Sequence, residues 1–266
     1  MTSKISIGIH GAAGRMGQRL VALGAADEQL QVTAALENAS HPRLGEDAGL
    51  VAGHGQLDVP LSAELTSDVA VIIDFSVPAA LQGIVELCRA KSIPLVVATT
   101  GLDEGQQELL KETAMEIPLV WAPNMSMAVN LTMQLTAMAA KVLGGVTSGV
   151  DAEVIDRHHR YKEDSPSGTA LKFGQIIADG MGQTEHVHGR EGILGPRPQT
   201  EIGYHALRVG DNPGEHTIVF GMLGEPIELT VRATNRDCYA LGALAAAKYL
   251  AGKDPGLYAM NDVLGL

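Results

Sequence analysis

The sequence predicts a two-domain α/β protein: a doubly wound parallel sheet forms the first domain, and a smaller α+β fold forms the second. Apolar runs such as VAVIIDF at Val69–Phe75 are continuous rather than alternating, which is typical of strands buried on both faces of a parallel sheet. Helix-like segments follow these runs, and the pattern changes to alternating strands after about Asn124. The 266 residues, 45% of them hydrophobic, are enough to form two domains.

The first half of the chain alternates predicted strands and helices. It opens with a strand at Ile5–His10, a glycine loop at Gly11–Gly17 and a helix that extends to about Ala25. The other elements predicted here are strands at Gln31–Leu36, Val69–Phe75, Pro94–Ala98 and Pro118–Trp121, and helices at Pro78–Lys91 and Asp103–Glu116. Strands that each lead into a helix predict a parallel sheet covered on both faces.

In the second half, the order of predicted helices and strands is different. Long helices are predicted at Ser126–Leu143 and Asp237–Leu250, and we expect the latter to pack back on the first sheet. Between them we predict a strand at Asp151–Arg157, a helix at Thr169–Met181 and alternating strands, joined as hairpins, at Ile202–Val209, His216–Met222 and Ile227–Ala233. The expected domains are therefore residues 1–126 with 235–266, which would bind a dinucleotide, and residues 127–234.

The charge balance restricts the partners of this protein. Lys and Arg total 19 against 31 Asp and Glu, so the formal charge is −12 at pH 7. An acidic surface repels phosphate backbones and anionic lipids, which argues against nucleic acids and membrane surfaces as partners. A site for an anionic small molecule would have to be a local basic patch.

The cysteines and the apolar segments bear on the compartment. Cys88 and Cys238 lie far apart in helix-like segments, which predicts two buried thiols rather than a disulfide or a metal site. The first residues run into the glycine loop without a signal-like stretch, and no apolar run reaches the ~18–20 residues that span a bilayer. We therefore expect a cytoplasmic protein.

The glycine loop is the first candidate binding motif. Gly11, Gly14 and Gly17 lie between a predicted strand and a predicted helix. Glycines in this context allow a tight turn and a close approach of the backbone to a pyrophosphate, which the amides at the helix start then bind. Glu37 follows the second strand, 37 − 17 = 20 residues after the last glycine, where an acidic residue holds the adenosine ribose. These features together predict a dinucleotide site.

The choice between NADH and NADPH stays open at this point. The carboxylate of Glu37 would bind a free ribose 2′-hydroxyl and repel a 2′-phosphate, which favours NAD(H). Arg15 in the loop, with His41 and Arg43 shortly after Glu37, could compensate such a phosphate.

A basic stretch in the second half is the other candidate site. DRHHRYK at Asp156–Lys162 follows a predicted strand, and SPSGT at Ser165–Thr169 opens the next predicted helix, where backbone amides bind anions. Histidine can transfer a proton near neutral pH, and lysine can stabilise developing negative charge. The pattern fits a carboxylate or phosphate substrate, and it fits a solvated turn with an ordinary helix cap equally well.

No metal site is predicted. Adjacent residues on a strand point to opposite faces, so His158 and His159 are poorly placed to share an ion, and no carboxylate occupies a persuasive third position. The same lack weakens the pair His186 and His188.

Taken together, four motifs resemble the dihydrodipicolinate reductase family, the 4-hydroxy-tetrahydrodipicolinate reductases of the diaminopimelate route to lysine. They are GAAGRMG at Gly11–Gly17, ATTG at Ala98–Gly101, APN at Ala122–Asn124 and HHRYKEDSPSGTA at His158–Ala170. The last is far more specific than the glycine loop. The resemblance implies a Rossmann domain closed by the C-terminal helix and a substrate domain whose mixed sheet builds a homotetramer. It also implies hydride transfer from NAD(P)H to a cyclic, conjugated imine dicarboxylate, followed by protonation of the neighbouring carbon.

The resemblance also implies roles for single residues. His158 would be the proton donor and Lys162 its partner on the substrate, while His159, Gly168 and Thr169 would bind the substrate carboxylates. The cofactor residues it implies are Gly11, Ala12, Ala13, Gly14, Arg15 and Met16 at the pyrophosphate, Glu37 at the ribose, and Ala98, Thr99, Thr100, Ala122, Pro123, Asn124 and Met125 at the nicotinamide end.

Two positions depart from the family pattern. Asn38 stands where some members carry an arginine suited to a 2′-phosphate, so we predict a preference for NADH. Pro123-Asn124-Met125 stands where an alanine and an aromatic residue are common, and we expect only local effects on packing.

Two other functions fit part of the pattern. One is a different two-domain NAD(P)-dependent dehydrogenase acting on an aldehyde or amino acid, against which the histidine–lysine stretch argues. The other is a non-catalytic NAD(H)-binding sensor, which would bind cofactor but tolerate the loss of His158 and Lys162.

Overall fold

The computed structural model describes residues 4–266, so the first three residues of the expected first domain lie outside it. The described chain divides into two units: one holds the residues up to Met127 together with Arg236–Leu266, and the other holds Ala128–Asn235. Among the described residues, every helix is too short or too polar to cross a membrane.

The first unit is built on a seven-stranded sheet in which all neighbouring strands are parallel, in the order β12-β6-β5-β4-β1-β2-β3. Its strands are β1 (Ile5–His10), β2 (Leu30–Leu36), β3 (Leu61–Ser62), β4 (Val71–Asp74), β5 (Leu95–Val97), β6 (Pro118–Trp121) and β12 (Gly256–Tyr258). The predicted doubly wound sheet is therefore confirmed.

Helices cover this sheet on both faces, which explains the continuous apolar strands. In β4, Val71 and Ile73 pack into one core, while Ile72 packs into a second core on the other face. The helices of this unit are α1 (Arg15–Ala26), α2 (Ala48–Val51), α3 (Leu81–Lys91, after a 3-10 turn at Pro78–Ala80), α4 (Glu104–Thr113), α7 (Asp237–Leu250) and α8 (Met260–Leu264). As predicted, α7 packs on the first sheet, where Ala243 and Ala247 are buried in the first core.

The second unit contains a five-stranded mixed sheet in the order β11-β10-β7-β9-β8. Its elements are α5 (Met127–Leu143, whose first residue belongs to the first unit), β7 (Asp151–His158), α6 (Gly168–Met181), β8 (Glu185–His188), β9 (Glu201–Arg208), β10 (Gly214–Met222) and β11 (Glu225–Ala233). Only β10 and β11 form the expected kind of hairpin, because β7 pairs with β9 in parallel and β8 pairs with β9 in parallel. One face of β7 is buried against α5 and α6 through Ala152 and Val154.

Several short elements were not predicted: β3, β8, β12, α2 and α8. Each has two to five residues, too few for a period of 2 or 3.6 to emerge. The predicted helix Asp103–Glu116 is wrong at its end, since α4 stops at Thr113. The residue before a proline disfavours helical angles, and Ile117 precedes Pro118.

Candidate active site

In the first unit, the glycine loop connects β1 to the start of α1. Gly11 has φ of +80°, and a Cβ on Gly17 would lie 2.0 Å from the carbonyl oxygen of Gly11, so neither position tolerates a side chain without a shift. The amides of Gly11 and Ala12 donate to the carbonyl of Leu36 at 2.9 and 3.2 Å. Gly14 supplies no side-chain cap to α1, which leaves the positive end of that helix to other partners.

Glu37 lies against this loop. Its Oε1 accepts a hydrogen bond from the amide of Ala13 at 2.7 Å, and its Oε2 accepts one from Asn38 at 3.2 Å. The spacing in the sequence therefore does bring the carboxylate and the glycine loop together. Of the basic residues nearby, Arg43 is bound to Glu46 at 2.8 Å, and Arg15 is exposed.

The carboxyl ends of β1, β4 and β5 meet beside the loop, and a buried hydrogen-bond network joins them. Asp74 has 0% exposure; His10 Nδ1 lies 2.7 Å from its Oδ1, and Ser76 Oγ donates to the same oxygen at 2.6 Å. Thr99 Oγ1 donates to Oδ2 at 2.7 Å, and the Ser76 amide donates to Thr99 Oγ1 at 3.0 Å. Thr99 was predicted to line the cofactor, and its hydroxyl is engaged with Asp74. Sequence reasoning missed Asp74 and His10, although an acid inside the run VAVIIDF was a signal.

The predicted cofactor residues lie at this end of the first sheet, in the loops after its strands or in the first turn of α1, with different exposure. Buried are Ala12, Ala98, Thr99, Ala122 and Met125; partly buried are Gly11, Ala13, Met16, Glu37 and Asn124; exposed are Gly14, Arg15, Thr100 and Pro123. The amides of Ala98 and Ala122 continue the sheet by donating to Asp74 and Val97. The arrangement is a parallel-sheet edge of the type that binds dinucleotides.

In the second unit, the buried face of β7 carries Asp156 and His158, which have 0% and 7% exposure. They share a face because they are two residues apart on a strand. His216 stands opposite Asp156 on β10, and Arg208 stands opposite His158 on β9. Three strands therefore bring an acid, two imidazoles and a guanidinium together in the middle of this sheet.

Asp156 is the centre of the cluster. Its Oδ1 lies 2.5 Å from His158 Nδ1 and 3.7 Å from His216 Nε2, whereas its Oδ2 accepts hydrogen bonds from the Ser167 amide at 2.7 Å and from Arg208 Nη2 at 3.1 Å. His158 Nδ1 is therefore the polar atom nearest to this carboxylate. Burial alone would raise the pKa of Asp156, but His158, the Ser167 amide and Arg208 outweigh it and hold that pKa well below its usual range.

His216 is the neutral member of the cluster. Burial lowers its pKa from 6.5 to about 4, against the opposing effect of Asp156. Its Nε2 lies 3.0 Å from Ser167 Oγ, and that hydroxyl also accepts a hydrogen bond from the amide of Ala170 and caps α6. The start of α6 is thus fixed to the sheet through Ser167.

The basic stretch is held in place rather than free in solvent. The amides of His159 and Arg160 donate to the carbonyls of Asn212 and Gly210 in the β9–β10 turn. Lys162 Nζ lies 2.7 Å from Asp164 Oδ1. At the helix start, a Cβ on Gly168 would meet nothing within 4 Å, which leaves room for a ligand at the backbone. His159, Lys162 and Thr169 are partly buried and Gly168 is exposed.

The buried polar atoms without a hydrogen-bond partner, among the described residues, concentrate here. Four of the five belong to this cluster or its neighbour in sequence: Asp156 Oδ1, His158 Nδ1, His159 Nδ1 and Arg208 Nε. Asp156 Oδ1 and His158 Nδ1 face each other at 2.5 Å, so the buried atoms open to a polar ligand are His159 Nδ1 and Arg208 Nε. The sequence analysis placed Asp156 and Ser167 in the candidate stretches but gave them no role, and it missed Arg208 and His216. Asp156 could have been found by its spacing of two from His158, whereas Arg208 and His216 gave no local signal.

The finding of Asp156 beside two imidazoles corrects one argument made from the sequence, since a carboxylate does lie next to His158. Asp156, His158 and His216 each place a ligand atom within 4.8 Å of the others. Two ligands on one tetrahedral Zn²⁺ are about 3.3 Å apart, given Zn–N and Zn–O distances near 2.0–2.1 Å. The 2.5 Å between His158 Nδ1 and Asp156 Oδ1, with Arg208 on the other oxygen, fits a direct ion pair better than a metal centre.

Both halves of the chain match models of one family. "Dihydrodipicolinate reductase, N-terminus" matches residues 5–125, and "Dihydrodipicolinate reductase, C-terminus" matches residues 128–264. A curated 4-hydroxy-tetrahydrodipicolinate reductase of Rhodopirellula baltica is 56% identical over 273 residues, covering 100% of this chain and 98% of the relative. One of Syntrophotalea carbinolica is 46% identical over 268 residues, covering 98% and 99%.

A solved structure is similar over the same length. It is a dipicolinate-bound dihydrodipicolinate reductase from Paenisporosarcina sp. TG-14, with a TM-score of 0.76 and 24% identity, covering 96% of this chain and 97% of that one. At 24% identity this similarity supports the fold and not a function.

Proposed function

The chain belongs to the dihydrodipicolinate reductase family, and we propose that His158 is the proton donor of its reaction and Lys162 the residue that stabilises charge on the substrate. The chain carries out the NAD(P)H-dependent reduction of 4-hydroxy-tetrahydrodipicolinate to tetrahydrodipicolinate, in the diaminopimelate route to lysine. The observation that carries the residue assignment is the buried cluster of His158, Asp156 and Arg208 beside the start of α6.

The first unit fits a pyridine nucleotide. Gly11 allows the tight turn, Gly17 lets α1 pack closely on the loop, and the start of α1 has no side-chain cap, which leaves its amides to a pyrophosphate. A bound nicotinamide supplies the hydride, and the chain's share is to bind and orient it. In our proposal residues 11–16 hold the pyrophosphate, Glu37 holds the ribose, and residues 98–100 and 122–125 line the nicotinamide end.

A preference for NADH follows from the groups around Glu37. The carboxylate lies 2.7 Å from the Ala13 amide, where a 2′-phosphate would meet negative charge. The side chain of Asn38 accepts hydrogen bonds from Ser40, and Arg43 is bound to Glu46. Of the basic residues considered, Arg15 is exposed and Arg43 is already paired with an acid.

The substrate is a small dicarboxylate in this proposal, as the dipicolinate-bound relative suggests. The backbone at Gly168 and Thr169, at the start of α6, would bind one carboxylate, and His159 would contribute to binding. Both groups lie in the second unit with His158.

The proton is placed by His158. Its Nδ1 faces Asp156, so the opposite edge of the ring is the one available to a substrate. Loss of water from 4-hydroxy-tetrahydrodipicolinate gives the conjugated imine. In that imine, hydride adds to one carbon of a carbon–carbon double bond and the proton from His158 adds to its neighbour, which turns that bond into a single bond. Lys162, held by Asp164, would stabilise the negative charge that develops before the proton arrives.

We further propose that the two units correspond to a cofactor domain and a substrate domain, and that the second unit assembles a homotetramer. Exposed apolar side chains on the second unit support an assembly, above all Ile193 and Leu194, with 103% and 65% exposure in the loop between β8 and β9. Sedimentation equilibrium of the purified protein tests the tetramer directly.

The test of the catalytic assignment is nicotinamide oxidation by the purified protein, with substrate made in situ from pyruvate and aspartate semialdehyde. We expect turnover with both cofactors and a higher kcat/KM with NADH. Lys162→Ala should lower kcat at least about tenfold and leave the Kd of NADH unchanged, because general acid–base and charge effects of this kind contribute about 10²–10⁴-fold.

Lys172→Ala is the matched control, since Lys172 is an exposed lysine on α6 of the same unit. An equal loss of turnover in both variants, or an equal loss of turnover and NADH affinity in Lys162→Ala, contradicts the role of Lys162. Cofactor binding without any turnover of the wild-type protein would favour the NAD(H)-binding sensor.

A further inference from the structure

One buried carboxylate connects the two parts of the proposed substrate site. Asp156 Oδ1 contacts His158, the proposed proton donor, at 2.5 Å, and Asp156 Oδ2 accepts a hydrogen bond from the Ser167 amide at 2.7 Å. Ser167 is the N-cap of α6, directly before Gly168 and Thr169. The side chain of Asp156 thus contacts both the proposed proton donor and the start of α6, where the substrate carboxylate is proposed to bind.

We propose that Asp156 is a positioning residue, which fixes the imidazole of His158 relative to the substrate-binding start of α6. This inference rests on the proposed function, because it takes His158 as the proton donor. It adds a residue for which the sequence assigned no role, and it predicts that one substitution affects both turnover and substrate binding.

The charges around Asp156 suit this role. Arg208 Nη2 donates to Asp156 Oδ2 at 3.1 Å and also to the carbonyl of Asp164, in the loop that carries Lys162. When His158 gives up its proton, the guanidinium and the Ser167 amide still compensate the carboxylate. Asp156 therefore stays ionised throughout the transfer and does not become a competing proton carrier. Its lowered pKa agrees with this.

His216 completes the support from the third strand. Its ring lies 5.2 Å from the ring of His158, edge to face, and its Nε2 lies 3.0 Å from Ser167 Oγ. Because His216 is held neutral by burial, it adds a steric and hydrogen-bonding restraint without adding charge. His158 and Ser167 are thus both held by Asp156 and both packed against His216.

A matched control is available on the same strand. Glu153 lies on the other face of β7, where its carboxylate contacts Arg197 at 3.0 Å and His205 at 2.9 Å. It resembles Asp156 in being an acid of β7 bound by an arginine and a histidine, but it does not contact His158 or Ser167. Glu153→Gln removes the same charge without touching the proposed site.

The experiment measures kcat, the KM of the substrate, and the Kd values of dipicolinate and NADH for Asp156→Asn, Asp156→Glu, Glu153→Gln and His158→Gln. We expect Asp156→Asn to lower kcat about 10–1000-fold, within the range that a positioned proton donor contributes, and to weaken dipicolinate binding several-fold. The Kd of NADH should stay within about twofold, as should all constants of Glu153→Gln. Asp156→Glu keeps the charge but displaces it, so its losses should be intermediate.

The results distinguish the proton-donor role of His158 from the positioning role of Asp156. A folded Asp156→Asn protein, as judged by thermal melting and NADH binding, with the kcat and dipicolinate affinity of Glu153→Gln overturns the positioning role. If Asp156→Asn does not fold, Asp156→Glu decides: wild-type values of both kcat and dipicolinate Kd overturn the proposal, and losses in both support it. If His158→Gln keeps its kcat, the proton-donor assignment and the positioning role fall together. If Asp156→Asn and Asp156→Glu keep the wild-type kcat while His158→Gln loses it, the proton-donor assignment is supported and the positioning role of Asp156 is contradicted.

Discussion

The two units each contain one aspartate with 0% exposure at or near the carboxyl end of a central strand, and each of these aspartates contacts a histidine. Asp74 of the first unit receives hydrogen bonds from the hydroxyls of Ser76 and Thr99 as well as its contact with His10. Asp156 of the second unit receives a guanidinium, a backbone amide and an imidazole, while several polar atoms around it lack partners.

The hydrogen-bond partners of the two aspartates differ, and the difference distinguishes a structural network around Asp74 from a candidate reactive site around Asp156. The oxygens of Asp74 are bound by donors that join three strand ends, which is the pattern of a self-contained structural network. Near Asp156, by contrast, the buried atoms His159 Nδ1 and Arg208 Nε lack a hydrogen-bond partner, which a bound dicarboxylate would supply. Burial alone therefore does not distinguish the two acids; the state of their neighbours does.

The largest expected effect is the difference in kcat between substitutions of the two histidines that contact these acids. His158→Gln should lower kcat about 10²–10⁴-fold, the usual contribution of a general acid, whereas His10→Gln should change kcat far less and act mainly on stability. Steady-state kinetics of both variants, with NADH binding as the check for folding, measures this. Similar losses of kcat in the two variants would erase the distinction between the networks.

The next effect concerns the stability of the first unit. Asp74→Ala should lower the free energy of unfolding by about 3 kcal/mol, because it leaves several buried donors without an acceptor at roughly 1–3 kcal/mol each. Asp68→Ala, at an exposed acid, is the control and should change it by less than about 0.5 kcal/mol. Chemical denaturation measures both. A wild-type stability in Asp74→Ala, or an effect confined to the Kd of NADH, would show that Asp74 is not structural support.

A smaller effect is the pH dependence of stability that His216 confers on the second unit. Its pKa is about 4 in the folded protein and 6.5 in the unfolded chain, so between these values the unfolded chain binds more protons. Stability must therefore fall as the pH drops from 6.5 to 4, by up to about 3 kcal/mol at about 1.4 kcal/mol per pKa unit.

The measurement is the free energy of unfolding at pH 7 and at pH 4.5 for the wild type and for His216→Asn. The difference between the two proteins isolates this histidine from the other titrating groups. A parallel fall in both proteins would mean that His216 is not the group responsible.

The smallest effect expected is on cofactor choice. Glu37→Ala should weaken NADH binding about tenfold, in keeping with about 1.5 kcal/mol for a hydrogen bond to a charged group, and should narrow the gap to NADPH. Glu28→Ala, at an exposed acid of the same unit, is the control. An unchanged Kd of NADH in Glu37→Ala would remove the ribose assignment.

Local patterns were sufficient to predict most of the first unit. Continuous apolar runs, the glycine loop and Pro78 are all local signals, and β1, β6 and α7 have the predicted bounds. Strand pairing in the second unit was not predictable in the same way. The parallel pairing of β7 with β9 depends on long-range contacts, which local sequence patterns do not indicate. The strand β8 is too short to show a periodic pattern.

The candidate site shows the same limit. His158, Lys162 and the turn before α6 lie within one stretch of sequence, so their residue types alone indicated a site. Arg208 and His216 come from other strands and reach Asp156 only through the register of the mixed sheet. Sequence reasoning therefore found the residues proposed to touch the substrate and missed those that hold them.

The placement of α7 has a consequence for synthesis on the ribosome. The core of the first unit includes Ala243, Leu244 and Ala247, yet the whole second unit lies between β6 and α7 in the chain. A nascent chain that ends before α7 leaves β4, β5 and β6 uncovered on the face that α7 packs against, which favours aggregation or capture by a chaperone. Vectorial folding from the N-terminus is therefore disfavoured: the second unit can finish folding first, and the first unit follows once α7 has left the exit tunnel.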